Sequence, residues 1–552
     1  MTNKKPAWIS QAIIYQVYPQ SFCDSNGDGI GDLPGLITKL DYIKGLGANT
    51  IWLNPVFESP FQDAGYDVTD FCKIAPRYGT NADAQRLFAE ARQRGLRVVM
   101  DLVAGHTSDQ HPWFLDAISN PASPHRGHYI FTGDFPQRSM FKSTPTPVPG
   151  NVVGGYYVSN FLPFQPALNY GYHQRDPQKP WQRHPEHPDS LAVRCEMRRI
   201  MQFWLDLGCD GFRVDMAHSL LRADPTGENL GRLWQGFRAW LDEAYPEAVL
   251  LAEWSDPKKA IPAGFHVDFF LGFNACTLHH LTGVHYQLAG KSRRPHVYFE
   301  RAGEGDIRLF LNTYLEHYTA TKALGYISVP TGNHDMQRVR RGRDPEELFI
   351  VHTMVLTLPG VPTIYYGDEI GMRHLEDLPE KEGSMWRTGA RTPMQWDAAQ
   401  ANLGFSTGAR EQLYLPVDPA PDAPTVAAQE ADAASLLHFV RKLTTLRATH
   451  SALGNDADFR PLHAVPDSPL FVYERFNDRQ RLAVCLNPAE FPVTAPVSEL
   501  AGATPLFTHG GEPVFHDGQL TLPGLSCAIF ELATEKPGTP SSSSASALKN
   551  SL

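Results

Sequence analysis

Cysteine is scarce in this chain, with seven residues in 552. Cys23, Cys72, Cys195, Cys209, Cys276, Cys485 and Cys527 are scattered, odd in number and nowhere in C-x-x-C spacing. That excludes a disulfide-built scaffold and a cysteine metal site, and predicts free thiols in a reducing compartment. Long apolar runs are absent too, and none approaches the roughly 18 residues of a membrane span. The opening MTNKKPAWISQ has no apolar h-region of a secretory signal, so a cytoplasmic location is expected. Positive charge is in deficit: 49 Lys and Arg face 60 Asp and Glu, a net charge of -11. That argues against nucleic acid or an anionic membrane as partner. Nothing in the sequence speaks to oligomeric state.

What is present is an ordinary soluble balance, 42% apolar and 20% charged. The length implies about two to four domains. Strand-like runs alternate with helical ones from the start. The runs Ile13–Pro19, Thr50–Phe57, Arg97–Ala104, the Gly211 stretch, Val249–Trp254, Val267–Phe273, Gly325–Thr331 and Pro362–Tyr366 read as eight buried strands. Helical spacing occupies Leu36–Leu46, Asn81–Arg94, Val193–Leu207, Asn229–Tyr245 and Ala433–Ala448. This alternation predicts an α/β fold, a (β/α)₈ TIM barrel over residues 1–105 and 189–450.

Residues 106–188 break the pattern and read as an inserted subdomain, since a structureless loop of that length is improbable inside a domain. Within it His184–Asp189 (HPEHPD) reads as an extended turn rather than a metal site. Residues 451–533 carry short alternating runs such as LFVYERF and RLAVCLN, predicting a small all-β sandwich domain. Residues 534–552 are low-complexity and expected to be disordered. Early in the chain, Asp24, Asn26, Asp28, Ile30 and Asp32 place oxygen ligands at every second position between glycines. That spacing suits a hard cation, Ca²⁺ with Mg²⁺ as the alternative, in a structural role. An Asx-rich turn without metal is the competing reading.

The chemistry centres on Gly211-Phe-Arg-Val-Asp-Met216. On a strand Arg213 and Asp215 point to one side, and the guanidinium favours the ionised carboxylate that a nucleophile needs. An isolated R-x-D is more often a structural ion pair. Here Asp101, Glu253 and Asp335 also fall at strand ends, where the chemistry of such barrels sits.

These strand ends stand in four stretches, DLVAGHTSDQH, GFRVDMAH, LLAEW and TGNHDMQR. In order and position they resemble the motifs of the α-amylase superfamily, glycoside hydrolase family thirteen, over nearly the whole chain. DSNGDGIGD, AGYDVTD and RTPMQWD resemble the oligo-1,6-glucosidase branch with its α-glucosidase and trehalose synthase relatives. The resemblance implies a retaining α-glucoside hydrolase acting on short oligosaccharides through a covalent glucosyl-aspartate. It implies Asp215 as nucleophile, Glu253 as general acid and base, and Asp335 as binder of sugar hydroxyls. Arg213 would orient Asp215 and keep it ionised, and Glu253 would need a raised pKa. Asp101, His106 and His334 would support or contact the same glucose, Tyr66 would stack on it, and Asp63 with Arg391 would cap its non-reducing end. The same resemblance leaves two alternatives, a trehalose-synthase-like transglycosylase or isomerase using the same intermediate, and an endo-acting amylase or neopullulanase type. Gly105 stands where many amylases place a calcium-ligating Asn, which implies that the amylase-type calcium site is absent. QPALN at Gln165–Asn169 departs from both QPDLN and MPKLN, and Met216 matches neither the Val nor the Ala or Thr associated with particular linkages. No linkage preference follows.

Overall fold

Eight short parallel strands form the central sheet: β1 Ile14–Val17, β2 Thr50–Leu53, β3 Arg97–Leu102, β4 Gly211–Val214, β5 Val249–Ala252, β6 Val267–Phe269, β7 Tyr326–Ser328 and β8 Thr363–Tyr365. The computed structural model describes residues 5–132, 146–147, 155–283 and 296–533. The strand order is β7-β6-β5-β4-β3-β2-β1-β8. A parallel bridge from Pro330 to Thr363 and a 2.8 Å bond between the Ser328 and Thr363 hydroxyls join the two ends. The sheet is therefore a closed (β/α)₈ barrel, as the alternating pattern predicted. Every residue of β1, β2, β4 and β5 is buried. This is why these strands read as continuous apolar runs instead of alternating ones.

The helices used below are α1 Leu33–Thr38, α2 Leu40–Gly45, α3 Asn81–Gln93, α4 Pro188–Leu207, α5 Glu228–Ala244, α6 Arg308–Thr321, α7 Pro345–Thr357 and α8 Leu436–Thr449, with shorter ones at Pro112–Ser119, Pro257–Ala260, His279–Thr282 and Val426–Glu430. The expected single helix over Leu36–Leu46 is two pieces, because Lys39 leaves helical geometry at φ -106 and ψ 5. It begins early because Asp32 caps it, accepting from Gly35 N at 2.6 Å. α4 likewise begins before Val193: His187 accepts from Asp189 N at 3.2 Å and Pro188 takes the first helical position. The second half of HPEHPD is thus a helix cap. α7 escaped sequence reading because it is buried nearly all round and shows no amphipathic period.

The C-terminal strands are β9 Asp458–His463, β10 Phe471–Phe476, β11 Arg481–Asn487, β12 Val493–Pro496, β13 Thr504–His509, β14 Val514–His516, β15 Gln519–Leu522 and β16 Ser526–Glu531. They form one five-stranded sheet (β9-β10-β11-β16-β13) and one three-stranded sheet (β12-β15-β14). Val472, Cys485, Ala528 and Phe530 pack with Ala495, Leu520 and Leu522 between the two sheets. Their neighbours Tyr473, Val484, Cys527 and Ile529 face the other way and join the barrel's own core. Both faces of the larger sheet are therefore covered. In the segment after β3, His106, Tyr129 and Ser159 bridge to Ala167, Leu168 and Pro166. The expected disordered tail, 534–552, lies outside the described residues.

At the start of β4, Gly211 has φ +142, and a Cβ there would sit 2.2 Å from the Val249 carbonyl oxygen of β5. Gly211→Ala should therefore cost about 3 kcal/mol or more through strain and strand separation. Gly45, where a Cβ would meet nothing within 4 Å, is the control. Gly45→Ala should be neutral or stabilise by about 0.5–1 kcal/mol. Melting temperatures of the two variants read the difference directly.

Candidate active site

β3, β4 and β5 deliver Asp101, Asp215 and Glu253 to one buried guanidinium. Arg213 Nη1 lies 2.7 Å from Asp101 Oδ1 and 3.1 Å from Asp215 Oδ1, and Nη2 lies 3.0 Å from Glu253 Oε2. Glu253 Oε2 also accepts from Met216 N at 2.9 Å. The parallel register sets this up: Arg213 pairs with Asp101 on β3 and with Leu251 on β5, so the acids at the strand ends converge. Just past these ends Met216 and Ser255 take positive φ of 42 and 56. Such backbone strain on residues that are not glycine concentrates at sites the surrounding structure over-determines.

Asp215 and Glu253 open into one cavity of about 560 Å³ together with Asp63, Tyr66, His106, Asp335 and Arg387. Within the cavity wall, Arg387 forms a fork. Its Nη1 meets Asp335 Oδ1 at 2.7 Å and its Nη2 meets Asp63 Oδ1 at 3.2 Å. Asp63 is fixed further by Gln165 Nε2 at 2.8 Å, which gives the Q of QPALN a role. Asp67 holds the loop that carries Asp63 and Tyr66: it accepts from Asp63 N at 3.0 Å and Gln62 N at 2.9 Å.

The expected capping residue Arg391 lies elsewhere. It is fully buried behind Asp335, with Nη2 at 3.0 Å from Asp335 Oδ1 and Nε donating to the His334 carbonyl at 2.7 Å. Arg387, four residues earlier, faces the cavity beside Asp63. Sequence reading missed it because one helical-type turn separates two arginines of equal appearance. Asp101, Arg213 and His334 also stand behind the cavity wall, essentially without exposure. The Tyr66 hydroxyl bonds His334 Nε2 at 2.6 Å and Asp101 Oδ2 at 3.1 Å, and the two rings stack at 5.5 Å. His106 faces the cavity, but both ring nitrogens are engaged, with Tyr66 O at 3.0 Å and Asn160 Nδ2 at 3.2 Å. Phe161, Met216, His218, Phe273, Asn274 and Trp386 complete the lining. Apart from Met216, sequence reading had singled none of these out, for an aromatic in a loop carries no signal of which way it faces.

The charges are unevenly shared. Burial and the neighbouring Glu253 push Asp215 well above the usual carboxylate range, despite Arg213. Arg213 works in the expected direction, pulling Asp215 toward its ionised form, but it is divided among three carboxyl groups. Asp101 is pushed up to about 6 by burial, against the pull of Arg213. Asp335 is the opposite case. Burial opposes its charge, but His334, Arg387 and Arg391 hold it well below its ordinary value. Burial keeps His334 and His106 neutral, the latter lowered to about 4.

In the Asp24–Asp32 loop, Asp24 accepts from Asn26 N, Gly27 N and Gly29 N, and Asp32 from Ser25 N and Gly35 N. Both are buried, and among the described residues neither has an ion-pair partner in Lys, Arg or His. An all-oxygen, uncompensated set of this kind fits a hard cation chemically. Among the described residues no cluster of three or more His, Cys, Asp or Glu side chains is already gathered to hold one. At Gly105 a Cβ would lie 2.5 Å from Asn160 Nδ2, so that position has no room for a ligating side chain.

Residues 16–456 match the α-amylase catalytic domain model. The chain belongs to the α-amylase family. It is 32% identical over 594 residues to a trehalose synthase/amylase of Mycolicibacterium smegmatis, covering 96% of this chain and 93% of that protein. It is 32% identical over 504 residues to an oligo-1,6-glucosidase of Parageobacillus thermoglucosidasius, covering 81% and 84%. Among solved structures, the trehalulose synthase of Pseudomonas mesoacidophila superposes with a TM-score of 0.77 at 26% identity, covering 95% of this chain and 99% of that one. As an α-amylase family member the protein is a glycosidase-type enzyme, and the paired acids on Arg213 are where such chemistry would occur.

Two measurements follow from the charge distribution. An anionic nucleophile gains activity as pH rises through its pKa, so the acid limb of kcat/KM should lie above pH ~4, the ordinary Asp value. A limb at or below that value would contradict the raised Asp215. Arg387→Ala removes a charge-assisted bond worth about 1.5–3 kcal/mol, and kcat/KM should fall by about 10- to 100-fold.

Proposed function

We propose that the protein is a retaining α-glucosidase acting on short α-linked gluco-oligosaccharides. Asp215 attacks the anomeric carbon and forms a glucosyl ester, while Glu253 gives its proton to the departing oxygen. Glu253 then takes a proton from water, which releases glucose with its α configuration. The observation that carries this reading is the single Arg213 guanidinium bonded to both acids, which keeps the pair within reach of one sugar ring. Asp335, ionised at any working pH, suits the growing positive charge on the ring. The Asp63–Arg387–Asp335 fork closes part of the cavity, which favours an exo-acting pocket over an endo-acting cleft of amylase or neopullulanase type.

A second reading shares the intermediate but lets a sugar hydroxyl resolve it, giving transglycosylation or isomerisation. The apolar residues beside Glu253 favour it, since they hinder bulk water, and so do the names of the trehalose synthase and trehalulose synthase relatives.

Incubation with maltose, isomaltose, sucrose, trehalose and maltotriose separates the two. Hydrolysis yields free glucose, and NMR should find the α-anomer first. Transfer yields longer sugars or isomers. Asp215→Asn should lose on the order of 10⁴-fold or more in kcat. A first-formed β-anomer would exclude the double displacement.

The Asp24–Asp32 loop is proposed to hold Ca²⁺ or Mg²⁺ through Asp24, Asn26, Asp28, the Ile30 carbonyl and Asp32, as a clamp remote from the acids. Chelation should lower the melting temperature by several degrees, and Ca²⁺ should restore it. A melting curve indifferent to chelator and to added Ca²⁺ would leave the loop an Asx turn. A cytoplasmic location is supported by the seven free thiols, five of them buried.

A further inference from the structure

Asp268 takes no part in the chemistry proposed for the acids, yet it sits next to one of them. It lies on β6, where the parallel register places it beside Ala252, the residue before Glu253 on β5. It is fully buried, and among the described residues no Lys, Arg or His pairs with it. Its carboxyl is committed to backbone instead. Oδ1 accepts from Trp254 N at 3.1 Å and from Ser255 N at 3.2 Å, and Oδ2 accepts from Asp256 N at 2.9 Å. These are the three residues that follow Glu253. Successive backbone N–H groups aimed at one point form a nest, a concavity that seats a carboxylate.

The turn needs holding. Ser255 takes φ +56, in the left-handed region that a serine adopts only under strain. Glu253 itself is tied to the β4 side through its backbone: its N–H donates to the Val214 carbonyl at 3.0 Å, and its carbonyl accepts from Ala217 N at 3.1 Å. Beyond it, three N–H groups in a row end on Asp268. The same turn anchors part of the cavity wall. Asn274 Nδ2 donates to the Trp254 carbonyl at 2.6 Å, Ser255 Oγ to the Phe273 carbonyl at 2.8 Å, and Ala275 N to the Ser255 carbonyl at 3.1 Å. Phe273 and Asn274 line the cavity together with Glu253. One side chain on β6 therefore fixes both the exit of the acid's strand and the wall segment joined to it.

We infer that Asp268 is a positioning residue for Glu253: by seating the 254–256 turn it sets how the acid meets the glycosidic oxygen. The inference rests on the role of proton donor proposed for Glu253. Asparagine matches Asp268 in shape but has one accepting oxygen, and its amide nitrogen would be left facing a backbone N–H. The turn shifts to escape that clash, and the Glu253 carboxyl shifts with it. Proton transfer needs donor and acceptor within about 2.6–3.2 Å, so a small displacement impairs it.

Two glucosyl donors separate proton delivery from the other demands of the site. A disaccharide needs a proton on its departing oxygen. α-Glucosyl fluoride loses fluoride, a weak base that leaves with little help. For both, kcat/KM reports the step that forms the glucosyl ester. The disaccharide is whichever of maltose, isomaltose, sucrose or trehalose the wild-type protein consumes fastest. Asp268→Asn should lower kcat/KM on it by about 30-fold or more, and on the fluoride by no more than about threefold. Asp268→Ser, smaller and with one acceptor oxygen, should show the same split. The ratio of the two values on one preparation does not depend on the fraction of protein folded. Equal losses on both donors, a greater loss on the fluoride, unchanged activity on both, or failure of both variants to fold overturns the inference and leaves the reading of the wild-type site intact. Failure of the wild-type protein to release fluoride overturns the glucosyl ester itself, and the inference with it.

Discussion

A buried positive charge with three negative neighbours governs this molecule. Arg213 is 1% exposed, and isolated burial of a guanidinium would be prohibitive. Asp101, Glu253 and Asp215 compensate it, and in turn none of them is left as an unpaired buried anion. The arrangement needs three adjacent parallel strands in one register. A slip of one residue on β4 would turn Arg213 and Asp215 to the opposite face and strand all four charges. Register, electrostatics and the position of the reacting acids are therefore one constraint seen from three sides.

A second charge balance lies across the cavity. Three basic or imidazole groups surround Asp335, and only Arg387 among them lines the cavity. Arg391 and His334 act from behind, setting the charge and orientation of Asp335 without exposing themselves. The two acidic centres are thus driven apart. Asp335 is held as an anion, while burial and the neighbouring Glu253 push Asp215 well above the usual carboxylate range. Divergent environments for nearby carboxyls are how one site supplies both an ionised group and a proton donor. Backbone strain at Met216 and Ser255 sits just beyond the acids, where the strands must turn sharply to leave both side chains facing the cavity.

How far the residues alone lead is clearest from particular elements. The eight strands were legible because burial on both faces leaves uninterrupted apolar runs. Asp101, Asp215 and Glu253 were legible because each follows or ends such a run. α7 was hidden because a helix apolar on every side has no period. The split between α1 and α2 was hidden because Lys39 breaks the helix through its backbone and not through its identity. Asp32, expected as a possible ligand, also caps a helix, a double use that spacing cannot reveal.

The sequence by itself determined the barrel, the acids and the family, since each depends on local pattern: strand-length apolar runs, a carboxyl at the run's end, short motifs in order. Tertiary structure alone decided which arginine faces the cavity. Arg387 and Arg391 are indistinguishable as letters, and only packing places the first between Asp63 and Asp335 and the second behind them. It alone also decided the upward push on Asp215, because burial and the nearness of Glu253 are facts of distance. The apolar part of the cavity lining has the same origin: Phe161, Met216 and Phe273 come from three separate segments, and no stretch of chain announces that they line one cavity.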